Sequence, residues 1–123
     1  KFQFINFIKN TCFAYEKKNE EIIQLLYNHK NDKICHRFWL NCETLTEITI
    51  YSETKKIGKR AFEGCTSLTK IIFKEPSSLL MIKDDAFKGC RSLEKISIPS
   101  TVTTIGWRVF KKCEKLKDII IPS

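Results

Sequence analysis

The chain has 123 residues, 42% of them apolar, with a formal charge of +8 from 22 basic and 14 acidic side chains. That length suits one compact domain, the composition excludes disorder over most of the chain, and no apolar run is long enough to cross a bilayer as a helix, so solubility is expected. The charge favours acidic partners such as nucleic acid, sulfated glycan or anionic membrane, but the lysines are dispersed among glutamates as on any solvated surface, so no specific nucleic-acid function is expected.

The chain does not open like a signal peptide: the apolar stretch Phe2 to Ile8 is broken by Gln3 and Asn6, and no small-residue cleavage site follows. Starting at Lys1 rather than methionine, it leaves room for an upstream segment. Phe4, Ile8, Cys12 and Tyr15 have helical spacing and also echo the repeat described below, so this segment reads as helical or as a degenerate first coil. Asn19 is a suitable N-cap, Glu20 and Glu21 complement a helix N-terminus, and Ile22, Ile23, Leu25, Leu26 and Tyr27 supply an apolar stripe. A short helix from Glu20 to His29 is expected, and residues 1–33 are read as a helical cap over the end of a stack.

From Ile34 onward one pattern is written four times. Aligned on Cys42, Cys65, Cys90 and Cys113, successive copies are 23, 25 and 23 residues apart, a period that signals a solenoid. Eight residues before each cysteine stands Ile34, Ile57, Ile82 or Ile105; four before, Phe38, Ala61, Ala86 or Val109; three before, Trp39, Phe62, Phe87 or Phe110. Three after stands Leu45, Leu68, Leu93 or Leu116; six after, Ile48, Ile71, Ile96 or Ile119; eight after, Ile50, Phe73, Ile98 or Ile121. The alternation after the cysteine, rich in β-branched residues, predicts one short strand per copy, and the strands stack as a parallel sheet. Before the cysteine, apolar residues at offsets of four and five predict a helical turn, closed by Gly64 or Gly89 in the left-handed conformation. Lys74 to Ser78 is the same corner as Pro99-Ser100, lengthened by two residues, and is expected to leave the interior columns unchanged.

The string Ile-x-x-x-Ala-Phe-x-x-Cys-x-Ser-Leu-x-x-Ile-x-Ile-Pro, complete as Ile82 to Pro99, resembles the leucine-rich repeat of BspA-type surface proteins. The resemblance covers Ile34 to Ser123 and implies an α/β repeat fold: a short solenoid with a parallel β-sheet, helical turns and a helical N-terminal cap, its four repeats over residues 34–123. It also implies a non-catalytic protein-interaction module, with adhesion at the cell surface known for some members. The alternative is a structural segment of a longer solenoid, with no ligand of its own, which self-associates through an uncapped C-terminal coil. The resemblance implies a surface or secreted protein, whereas free thiols would suit the cytoplasm.

Chemistry is sparse. The column cysteines read as small buried apolar residues with weak thiol hydrogen bonds, and all six cysteines are expected to be free thiols. Cys35, His36 and Cys42, joined by Cys12 and His29, are weak zinc candidates without a usual two-ligand spacing, so no metal or cofactor is expected. No nucleophile elbow or phosphate loop occurs, and Asp84-Asp85 reads as charge at a helix start in an exposed, variable column. Binding is expected on one of two surfaces. The sheet face would present Glu47, Thr49, Tyr51, Lys70, Ile72, Lys74, Lys95, Ser97, Asp118 and Ile120, with Pro99 and Pro122 in the same columns. A basic edge on the turn side would present Lys59, Arg60, Lys88, Arg91, Trp107, Arg108, Lys111 and Lys112, followed by Lys115.

Overall fold

A computed structural model describes residues 33–34 and 37–121. The expected cap lies, except for Lys33, outside these residues, as do Cys12, His29, Cys35 and His36. Among the described residues eight short strands run in chain order: β1 (Lys33–Ile34), β2 (Glu47–Ile50), β3 (Lys56–Ile57), β4 (Lys70–Phe73), β5 (Met81–Ile82), β6 (Lys95–Ser97), β7 (Thr104–Ile105) and β8 (Asp118–Ile120). All pairings are parallel and join equivalent positions of successive coils, Ile34 with Ile57, Ile57 with Ile82 and Ile82 with Ile105. The odd-numbered strands form a narrow four-stranded sheet, β1-β3-β5-β7, while the even-numbered ones form two pairs, β2-β4 and β6-β8.

Between these sheets the expected helical turns are absent: no helix occurs among the described residues. The reason lies in how the backbone N–H groups divide. Those of Ala61, Glu63 and Cys65 close tight turns onto Gly58, Arg60 and Phe62, three residues back. Those of Arg60, Phe62 and Gly64 donate instead to the carbonyls of Asp84, Ala86 and Lys88 in the next coil. Half the donors are spent between coils, so an i to i−4 ladder cannot form. The spacing that reads as helical is that of consecutive stacked turns. Such a path needs a left-handed residue at the third position of alternate turns. Asn41, Gly64, Gly89 and Lys112 supply one such column, at φ of 56 to 76°, as expected for the two glycines. Arg37, Arg60, Asp85 and Arg108 supply a second, at φ of 55 to 60°, where no glycine marks it.

The core is the set of inward columns. Phe62 and Phe87 are fully buried, and Trp39, Phe62, Phe87 and Phe110 form a continuous aromatic stack with near-parallel rings, at centroid separations of 6.5, 5.2 and 6.0 Å. One further column, Thr54, Leu79 and Val102, is displaced from simple counting by the longer corner; its first two members are fully buried and Val102 packs against the core.

The longer corner does alter the interior, contrary to expectation. No backbone hydrogen bond joins β4 to β6, so the larger sheet is split where residues 74–78, with a cis Glu75–Pro76 peptide, separate the second described coil from the third. The inward residues Ile71 and Phe73 are consequently half-buried, whereas Ile48, Ile50, Ile96 and Ile98 are at most 2% exposed.

The last described coil is open. Ile105, Ile119 and Ile121, whose equivalents Ile82, Ile96 and Ile98 in the preceding coil are buried, are 42%, 44% and 65% exposed.

Candidate interaction faces

The cysteine column comes closest to a reactive cluster and is arranged to prevent reaction. Cys65, Cys90 and Cys113 are free and buried, and each Sγ donates to the carbonyl of the aromatic residue one coil below: Trp39 at 3.1 Å, Phe62 at 3.3 Å and Phe87 at 3.1 Å. Burial pushes the Cys65 thiol up to about 12, against a smaller opposing pull from a backbone hydrogen bond. Burial raises Cys90 further, with neighbouring column thiols adding to the effect, and raises Cys113 as well. These groups stay protonated and inert at neutral pH. No group of His, Cys, Asp and Glu with metal-holding geometry occurs among the described residues.

Cys42 departs from the expected free-thiol column: it is disulfide-bonded, and its partner is none of the other three column cysteines. Its column cannot distinguish it by sequence, because all four positions carry the same residue at the same offset. Titration of the denatured chain without reductant should therefore count at most four thiols among the six cysteines. A count of six would overturn the disulfide.

Asp85 is the second departure. The residue expected to be an exposed charge at a helix start is 1% exposed, in the left-handed column between two arginines. Arg108 holds it through two contacts, Nη2 to Oδ2 and Nε to Oδ1, both at 3.0 Å. Arg60 lies 3.9 Å from Oδ2 and also faces Glu63 at 3.6 Å. The hydrogen bond to Oδ2, with Oδ1 in ionic contact only, gives the carboxylate a fixed partner as it leaves water. The signal was in the sequence: one acid stands among Arg37, Arg60 and Arg108, at the same offset from the cysteine.

The two expected binding surfaces lie on different parts of each coil. On the sheet face, Glu47, Lys70, Lys74, Lys95, Ser97, Asp118 and Ile120 are exposed, but Thr49 and Ile72 are half-buried. Tyr51 packs against the core and Pro99 is buried, so neither adds to a free outward surface. Register places Glu47 opposite Lys70 and Lys95 opposite Asp118, leaving Lys70 and Lys95 on either side of the split. The cleft there, about 500 Å³, is floored by Ile71 and Phe73, with Glu75 and Glu94 among its lining residues. On the turn edge, Lys59, Arg91, Trp107, Arg108, Lys111 and Lys112 are exposed, while Arg60 and Lys88 are half-buried. Trp107 is 77% exposed although its backbone N–H is fixed to Asp84 Oδ1 at 2.8 Å. The structure thus joins Arg60 and Arg108 through Asp85, a contact that occupies both.

The family model for the BspA type leucine rich repeat region matches residues 6–123, in six copies. The chain belongs to this family. No match was found among curated proteins. A leucine-rich repeat protein from Bacteroides capillosus is similar in structure, with a TM-score of 0.61 and 23% identity over 74% of this chain and 63% of that one. The pneumococcal vaccine antigen PcpA aligns with a TM-score of 0.55 and 31% identity, covering 61% of this chain and 18% of that one. A leucine rich cell surface protein from Faecalibacterium prausnitzii aligns with a TM-score of 0.53 and 26% identity, over 74% of this chain and 31% of that one. The BspA-type chain spans less than two thirds of each of these proteins. Membership accounts for the inward columns, the parallel strands and the stacking.

Proposed function

We propose that this BspA-type chain is a non-catalytic protein-interaction module acting in adhesion at a cell surface. One observation carries the reading: the recurring residues, cysteines included, are consumed by the core, so the chemistry left for solvent is a set of charged and apolar side chains on two regular surfaces. Such mixed surfaces suit protein partners. The similarity to a cell surface protein and to a vaccine antigen supports the location.

The test is affinity capture with the wild-type chain and with a sheet-face variant combining Glu47→Lys, Lys70→Glu, Lys95→Glu and Asp118→Lys. The expected result is at least one protein retained by the wild type and lost by the variant, or by a matching turn-edge variant, at unchanged melting temperature. If everything captured is indifferent to charge reversal on every exposed face of the described coils, the reading is wrong.

A second reading, a structural segment of a longer solenoid, is favoured by the partial span of the similar structures, 63% or less of each. It calls for concentration-dependent association in solution; a monomer across a wide concentration range would count against it.

A further inference from the structure

A third concave surface shares only Lys59 with the expected faces. It is a groove of about 670 Å³ over the narrow sheet β1-β3-β5-β7. One column runs along it: seven residues before the cysteine stand Gly58 and Gly106, with Lys83 between them. A Cβ on Gly106 would collide with the backbone and side chain of Asp84, so the coils approach closely here. Met81, half-buried, gives the groove its apolar contact, since the side chains of Ile34 and Ile82 beneath it are buried in the core.

Its charge is one-sided. Lys56, Lys59 and Lys83 line it, all exposed and without an ion pair among the described residues. The one lining carboxylate among the described residues, Asp84, already accepts the Trp107 N–H. The cleft at the sheet split differs, since Glu75 and Glu94 line it alongside Lys70 and Lys95. The floor backbone is also satisfied, with Gly58, Lys83 and Gly106 donating to Ile34, Ile57 and Ile82 at 2.8 to 3.0 Å, so an occupant cannot add as a strand and must lie across the rungs. We infer that this groove binds an extended acidic peptide segment of a protein partner, running along the stacking axis with its carboxylates on Lys56, Lys59 and Lys83 and an apolar side chain on Met81. A polypeptide is chosen over a sulfated glycan because Met81 in the floor and Trp107 beside it are the residue types enriched in protein interfaces. Rungs about 4.8 Å apart and a rise of about 3.3 Å per extended residue put several carboxylates within reach of the three lysines.

This inference rests on the protein-interaction reading, and its test separates the two. The probe is a fluorescent ten-residue peptide alternating glutamate with leucine, added to the full chain and followed by anisotropy and by backbone amide shifts. Shifts should centre on Gly58, Lys83 and Gly106, and the combined variant Lys56→Glu, Lys59→Glu, Lys83→Glu should weaken binding by roughly tenfold or more at unchanged melting temperature. The control Lys70→Glu with Lys95→Glu should change it by less than about twofold. Equal weakening by both variants, shifts on the even-numbered strands, no peptide binding, or a sulfated oligosaccharide bound in the groove where the peptide is not would each overturn the assignment. Partner capture lost only in the sheet-face variant would still leave the interaction module standing.

Discussion

Phe87→Ala should lower the free energy of unfolding by about 3 to 5 kcal/mol, the usual range for removing a buried aromatic ring and leaving a cavity. The site offers no means of collapse. Phe87 is fully buried, its ring is stacked between Phe62 at 5.2 Å and Phe110 at 6.0 Å, and the backbone on either side is pinned to neighbouring coils at Asp85, Phe87 and Gly89. In a stack whose stability is a sum of nearest-neighbour terms, the loss removes interactions on both faces of one coil. Phe110→Ala, at a half-buried ring with a described neighbour on one side only, should cost about half as much. Urea denaturation of the two variants measures the contrast. Equal midpoints would mean that the aromatic column does not hold the stack together, and an unchanged midpoint for Phe87→Ala would refute the repeat register itself.

Raising the pH above about 9 should destabilise the protein steeply. In the unfolded chain a cysteine ionises near 9.0, whereas burial keeps the Cys65 proton in place to about 12 and raises Cys90 and Cys113 too. Between those limits the unfolded state binds fewer protons than the native state, so stability falls as pH rises. The loss is about 1.4 kcal/mol per pH unit for each thiol still held protonated, or on the order of 4 kcal/mol by pH 12 from Cys65 alone. Melting temperatures from pH 7 to 11 test this, with Cys65→Ser as control. The hydroxyl can still donate to the Trp39 carbonyl but does not titrate, so its curve should fall less steeply. A wild-type curve flat to pH 10.5 would refute the mechanism.

The fold was legible because a solenoid repeats its evidence. Seven columns filled in register give strands, inward faces and stacking direction from spacing alone, and Ile34, Ile57, Ile82 and Ile105 align as that spacing requires. The turns were misread for a physical reason: apolar offsets of four and five describe a helix and a run of stacked turns equally well. Only the destination of the N–H groups distinguishes them, and sequence does not display it. The second left-handed column escaped notice because arginine and aspartate occupy it, and an Arg–Asp–Arg contact is not a glycine signature. The split at β4 and β6 was hidden in an insertion that loop entropy treats as nearly free. Its consequence is felt at Ile71 and Phe73 and not in the loop itself. The groove over the narrow sheet was unreadable in the same way, since it depends on how closely successive coils approach, as at Gly106 and Asp84.

The turn ladder has a direction. At each step the N–H groups of one coil donate to the carbonyls of the next, as from Arg60 to Asp84 and from Asp85 to Trp107. The last described coil therefore presents the N–H groups of Arg108, Phe110 and Lys112 as a row of donors with no acceptor among the described residues. Two copies meeting symmetrically through this surface would set donors against donors, so a two-fold, tail-to-tail dimer cannot extend the ladder. Whatever continues it must offer carbonyls, as another coil in the same orientation does. Growth of the stack is polar, and any self-association that uses this ladder must be head-to-tail.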